Sequence, residues 1–191
     1  FAPPQVTEEG IDWGEGVRPA TRDYTPLYDV ERHELAYDFF IHDGGIASRW
    51  ALEAKVGDKL VIGGPRGSLV VPEDYAWQLY VCDESGMPAL RRRLLGLRQL
   101  AVTPQVTAIV TIADASYKDY LADLDGFNIE WVVGHNPAFV AERLAQEKVP
   151  AEDYFIWLTG EGAVVKSLLA RFEDESIDQQ LVRSQAYWHS K

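Results

Sequence analysis

Two grammars of apolar and polar positions divide the chain. From residue 76 onward, short apolar runs alternate with amphipathic ones. Residues 78–82, 106–112, 127–133 and 154–159 are near-continuous apolar stretches rich in β-branched and aromatic side chains, and they predict buried strands. Between and after them, periodic segments predict helices over 89–100, 117–121, 137–148 and 163–173. The third is opened by Asn136 as N-cap and by proline at its first position. A last extended piece covers 181–188. This β-α-β alternation predicts a parallel sheet covered on both faces. Ahead of residue 73 the pattern is different. Runs at 27–30 and 35–41, joined by the polar Glu31-Arg32-His33-Glu34, predict an antiparallel hairpin. Further extended runs at 59–63 and 68–71 flank Gly64-Pro65-Arg66-Gly67, and 44–54 reads as a glycine turn entering a short helix. Residues 1–21, rich in Pro, Gly and acid, read as an irregular loop. The expected fold class is β plus α/β: an antiparallel β-barrel over 1–72, with N-terminal strands missing ahead of Phe1, then a parallel-sheet α/β domain over 73–191.

Charge and composition narrow the partners. The formal net charge of −12 argues against a general nucleic-acid or anionic-membrane binder, which needs a basic surface. It leaves room for a small anionic ligand in a locally basic cleft. No apolar run approaches the ~20 residues of a membrane span, and the start of the chain lacks the order of a secretory signal. A lone Cys82 excludes an intramolecular disulfide and a cluster held by several thiolates of this chain, which makes a reducing, cytoplasmic compartment the expectation. The four histidines are scattered, so no metal site is expected.

Arg22-Asp23-Tyr24-Thr25 is the first stretch with chemical content. On a strand, Arg22 and Tyr24 would share one face and Thr25 the other. A cation, a flat ring and a hydroxyl together suit a ligand that is both anionic and aromatic, such as a dinucleotide flavin; the same residues would also serve an ordinary strand ending in a Thr-Pro turn. Gly45-Ile46-Ala47-Ser48 opens a helix twenty residues after Thr25. Its backbone N–H groups and positive helix end would receive a pyrophosphate, with Arg22 adding charge; the alternative is a plain glycine turn. Asp83-Glu84-Ser85-Gly86-Met87-Pro88 stands where a nucleotide-phosphate turn would stand, yet it is acidic and is no G-x-G-x-x-G. Gly160-Glu161-Gly162 after the last parallel strand would let a nicotinamide approach closely, or would simply be a turn with Glu161 at a helix start. Trp50, Trp77, Trp131 and Trp157 are read as core, and Arg91-Arg92-Arg93 as a solvated helix face.

At these residues the chain resembles the siderophore-interacting proteins, FAD-dependent ferric-siderophore reductases of the ferredoxin–NADP reductase-like superfamily. The matching pieces are Arg22-Asp23-Tyr24-Thr25, Asp38-Phe39-Phe40-Ile41-His42, Gly45-Ile46-Ala47-Ser48-Arg49-Trp50-Ala51, Gly57-Asp58, Gly64-Pro65-Arg66-Gly67, Asp83-Glu84-Ser85-Gly86-Met87-Pro88-Ala89, Gly160-Glu161-Gly162 and Tyr187-Trp188. The resemblance implies an FAD-binding β-barrel followed by an NAD(P)H-binding α/β domain. Arg22, Tyr24 and Thr25 would hold the flavin, with Thr25 tuning its ring. His42, Gly45, Ala47 and Ser48 would lie along the diphosphate and adenosine side. Asp83, Ser85, Gly160, Glu161 and Gly162 would face the nucleotide. Arg49, Arg66 and Lys191 would form the basic substrate side. Two positions depart from the family pattern: Ile46 stands where proline is usual, and His189-Ser190-Lys191 stands where a more basic tail is common.

The implied activity is transfer of electrons from NADH, NADPH or a ferredoxin through FAD to a ferric siderophore, with release of Fe(II). No protein general acid is required, because the cofactor carries the chemistry. A flavin reductase feeding a soluble electron carrier and a non-enzymatic siderophore or flavin binder are the two rival classes.

Overall fold

The computed structural model describes residues 5–8, 10–12, 20–63, 70–174 and 176–190. The chain divides into two compact units, one of Phe1–Pro26 with Ala36–Val70 and the other of Leu27–Leu35 with Val71–Lys191.

The α/β part is one five-stranded sheet. Its strands are β5 (Trp77–Cys82), β6 (Gln105–Ile112), β7 (Asn128–Val133), β8 (Tyr154–Glu161) and β9 (Val182–Trp188), in the spatial order β7-β6-β5-β8-β9 and all parallel. Both faces are buried, and the pleat assigns alternate residues to each. Leu79, Val81, Ile109, Ile156 and Leu158 pack on one face with Val140 and Leu144 of α3 (Pro137–Ala145) and Val165 and Leu168 of α4 (Gly162–Leu169). Tyr80, Cys82, Ala108, Val110 and Ile112 point the other way, onto Leu90, Leu94 and Leu97 of α2 (Met87–Leu97). Strands buried on both sides have to be apolar at every position, which is why these runs lack alternation. The chain leaves β5 toward β6 and β7, then returns to lay β8 on the opposite edge of β5. The order therefore reverses between β5 and β8.

Two predicted features change. β9 joins the sheet as its fifth parallel strand, through the register Ile156↔Val182 to Gly160↔Ala186 and a bulge at Gly160/Glu161. In the Arg91–Arg93 run Arg92 is exposed as expected, but Arg91 and Arg93 are turned onto partners. Arg91 pairs with Asp123 at 2.6 Å. Arg93 donates to Tyr80 Oη at 2.9 Å and to the carbonyls of Val71 and Pro72. The reason lies in Gln78, fully buried at the start of β5: its Nε2 donates to the carbonyls of Glu73 and Tyr75, and its Oε1 accepts from Tyr80 and Arg93. A buried amide needs all of these partners, and Arg93 is the side chain on α2 that reaches it.

The β part also differs from expectation. Residues 1–21 hold a short antiparallel hairpin, β1 (Gln5–Thr7) and β2 (Gly10–Asp12), instead of an irregular loop alone. β3 (Pro26–Asp29) and β4 (Glu34–Tyr37) form the second hairpin. Residues 22–25 are not part of a strand; β3 starts at Pro26, where a missing N–H costs least. Residues 59–63 form no ladder among the described residues. α1 (Ile46–Glu53) follows the predicted glycine turn. No helix among the described residues is long and apolar enough to cross a membrane.

Burial pushes the Tyr80 hydroxyl up to about 12, against the opposing influence of Arg93. The unfolded chain loses this proton near its ordinary value of about 10. Stability held by neutral Tyr80 is therefore intact below about pH 10 and is lost as pH climbs toward about 12, by about 3 kcal/mol in all. Urea unfolding midpoints measured across that window should fall, and Tyr80→Phe should flatten the slope.

Candidate functional site

The first unit brings one group of the expected residues together. Tyr24 and Phe39 meet with ring centroids 4.6 Å apart, and Phe39 meets Trp50 of α1 at 5.9 Å. Tyr24 stays more than a third exposed, and partial burial raises its hydroxyl pKa while Arg22 draws it back. The exposed Arg22 donates to the neighbouring Thr21 carbonyl at 2.7 Å and has no carboxylate partner recorded among the described residues. Thr25 is half-buried beside them in sequence.

Ser48 locks the turn that enters α1. It is nearly fully buried; its Oγ accepts from the His42 N–H at 3.1 Å and donates to the Phe40 carbonyl at 3.4 Å. Gly45 is the N-cap residue, without a side-chain cap, and the first turn carries no acid. A Cβ on Gly45 would come within 2.7 Å of both the His42 ring and Ser48 Oγ, so only glycine leaves this cradle open. Ala47 is half-buried in the same turn, and Arg49 projects exposed from it. A cation without a carboxylate partner among the described residues, a partly open ring and an uncapped helix start form a set that fits an anionic aromatic ligand. Arg66 and Lys191 lie outside the described residues.

The second group gathers where strand order reverses, at the carboxyl ends of β5 and β8, the place where open α/β sheets take ligands. Asp83, directly after β5, accepts from Ser85 N–H at 2.9 Å on one oxygen. Its other oxygen accepts from the Glu161 N–H at 3.0 Å and the Trp188 indole N–H at 2.8 Å. Gly160 passes this carboxylate at φ +137°, and a Cβ there would lie 2.6 Å from Asp83 Oδ2. Glu161 caps α4 by accepting from the Val164 N–H at 3.0 Å, and its other oxygen takes the N–H and hydroxyl of Ser190. These N–H donors, Val164 first and then Ser190, hold its carboxyl below the usual range. Gly162 lies directly against the His189 ring. Asp83, Ser85, Gly160, Glu161 and Gly162 thus form one cluster.

One pair here went unnoticed in the sequence. Glu84, almost fully buried, accepts from the Ala113 N–H at 2.5 Å and faces His135 Nε2 at 3.1 Å. Glu84, Ala113 and His135 follow β5, β6 and β7, three adjacent strands, so the strand ends were the available signal. Asp114 is held low by the Ser116 hydroxyl and N–H. Burial, and then Asp83 and Glu84, push the Cys82 thiol well up, so it is no thiolate nucleophile. No cluster of three or more metal-ligating side chains occurs among the described residues.

Comparison with known proteins decides the family. Residues 75–191 match the model described as siderophore-interacting protein, and residues 1–69 match the siderophore-interacting FAD-binding domain. The chain belongs to the siderophore-interacting protein family. It is 68% identical, over its whole length and 75% of the relative's, to the NADPH-dependent ferric-chelate reductase of Escherichia coli (strain K12). A siderophore utilization protein from T. fusca superposes with a TM-score of 0.82 at 27% identity, covering 97% of this chain and 72% of that one. A ferredoxin-NADP+ reductase from Plasmodium falciparum superposes with a TM-score of 0.65 over 86% of this chain and 76% of that one; at 15% identity it shows the shared fold alone.

Gly160→Ala forces a Cβ both into a left-handed backbone and onto the Asp83 carboxylate. It should lower stability by about 1–3 kcal/mol, read as a drop in urea midpoint at unchanged m-value.

Proposed function

We propose that this protein is a flavin-dependent reductase of ferric siderophores that takes its electrons from NADPH. The observation that carries this reading is the pairing of an open cationic and aromatic cradle in the first unit with a parallel sheet whose switch point is glycine-lined. The 68% sequence identity to an NADPH-dependent ferric-chelate reductase supports it.

Residues 1–72 are assigned as the FAD-binding domain and 73–191 as the NADPH-binding domain. Arg22 supplies charge to the diphosphate, Tyr24 stacks its ring, and Thr25 offers a hydroxyl to the flavin ring. His42, Gly45, Ala47 and Ser48 shape the diphosphate and adenosine side, where Ser48 fixes the turn and Gly45 keeps it open. The chemistry supplied by bound FAD is the exchange between a two-electron hydride donor and a one-electron ferric acceptor. Gly160, Glu161 and Gly162 line the donor side, with Asp83 and Ser85 behind them. Arg49, Arg66 and Lys191 are assigned to attract an anionic ferric chelate. Reduction to Fe(II) weakens its hold on hard oxygen donors, so no acid from the protein is needed for release. A cytoplasmic setting accords with the single, buried Cys82.

The test is anaerobic titration of the purified flavoprotein with NADPH, followed by a ferric catecholate and an Fe(II) trap. Bleaching of the flavin bands, then their return with trapped Fe(II), is expected. A flavin bleached by reduced ferredoxin and not by NADPH would replace the donor, and a flavin that no donor bleaches would make the protein a binder. Arg22→Ala and Tyr24→Ala should each weaken FAD binding about tenfold, the loss of roughly 1.4 kcal/mol. Unchanged flavin content and midpoint potential in both would sink these two assignments.

A further inference from the structure

We propose that Asp83 is the positioning residue of the donor site: its one buried carboxylate holds the Gly160/Glu161 bulge and the Trp188 indole in register, so that the end of β9 forms a fixed wall for the nicotinamide nucleotide. The inference rests on the reductase reading above. The carboxylate is only 8% exposed. It accepts from four donors: Ser85 N–H at 2.9 Å, Ser85 Oγ at 2.5 Å, Glu161 N–H at 3.0 Å and Trp188 Nε1 at 2.8 Å. These donors belong to the turn after β5, the end of β8 and the end of β9.

This arrangement sets Asp83 apart from a ligand contact. An anionic side chain with both oxygens occupied by protein donors has little left to offer a nucleotide, and its charge would oppose a pyrophosphate placed on it. What it does instead is mechanical. The sheet register breaks between Gly160 and Glu161, where Glu161 pairs with Trp188 instead of continuing the ladder. Such bulges re-aim side chains at functional edges. Asp83 Oδ2 bonds both strands just past this break, to the Glu161 amide on β8 and the Trp188 indole on β9. Two further contacts fasten the same three-residue stretch: Ser190 on Glu161, and His189 on Gly162. Trp188 remains 45% exposed despite its bonded N–H, so the anchored ring presents surface at the switch point of the sheet.

The experiment uses the full chain loaded with FAD and compares Asp83→Asn, Trp188→Phe and the double variant. Asparagine replaces one acceptor oxygen by an NH2 group, so one pair of donors loses its partner. Trp188→Phe keeps an aromatic ring and removes the indole N–H together with part of the ring surface. In Asp83→Asn the KM for NADPH should rise about tenfold, while flavin content and the rate of flavin reduction by dithionite stay at the wild-type level. Trp188→Phe should shift KM in the same direction, and the double variant should match Asp83→Asn alone, because with the NH2 group in place of Oδ2 both changes remove the same Asp83–Trp188 hydrogen bond. An unchanged KM in Trp188→Phe overturns the proposal, and this variant decides alone if Asp83→Asn does not fold. Losses that multiply in the double variant, or equal losses with NADPH and dithionite, mark a structural role only and also overturn it. A wild-type flavin that NADPH cannot reduce overturns the reductase reading itself, and the inference with it.

Discussion

The junction of the ends of β5, β8 and β9 depends on satisfying one buried carboxylate. Removing an ionised carboxyl from water is costly unless hydrogen bonds replace the lost hydration. Asp83 obtains them from its own turn, from the end of β8 and from the end of β9. Each donor then constrains its element. The close approach demands glycine at 160, and the amide of Glu161 reaches Asp83 because the ladder is broken there. The last strand ends where the indole of Trp188 meets the same oxygen.

Charge is divided between the two units. In the first, Arg22 and the uncapped start of α1 supply positive potential without a recorded carboxylate partner among the described residues. In the second, Asp83, Glu84, Asp114 and Glu161 stand at strand ends, and backbone N–H groups absorb much of their charge. That arrangement reconciles a net charge of −12 with an anionic ligand, since local donors, not the sum over the chain, set the potential in a cleft.

The outline of the α/β part was legible because two-sided burial leaves a strong mark. Strands covered on both faces must be apolar throughout, and the Asn136-Pro137 start of α3 announces itself by its capping chemistry, which the Asn136 side chain performs on the Phe139 N–H. In the first unit, Arg22, Tyr24, Gly45 and Ser48 were legible as candidate residue types at a spacing. The fate of Arg91 and Arg93 was not. Three consecutive arginines on a helix look solvated, and only the buried Gln78 and Tyr80, placed by β5 against α2, turn Arg93 inward.

The sequence by itself determined which segments of the α/β part are buried strands and helices, and which residue types could meet an anionic aromatic ligand, because hydrophobic period and local turn chemistry are properties of neighbouring residues. Only the tertiary structure decided what Asp83, Glu84 and His135 do. Asp83 and Trp188 are 105 residues apart, and Glu84 meets His135 only because β5, β6 and β7 lie side by side. A hydrogen bond acts over about 3 Å, so its partners across such separations are set by strand order, which no local pattern records.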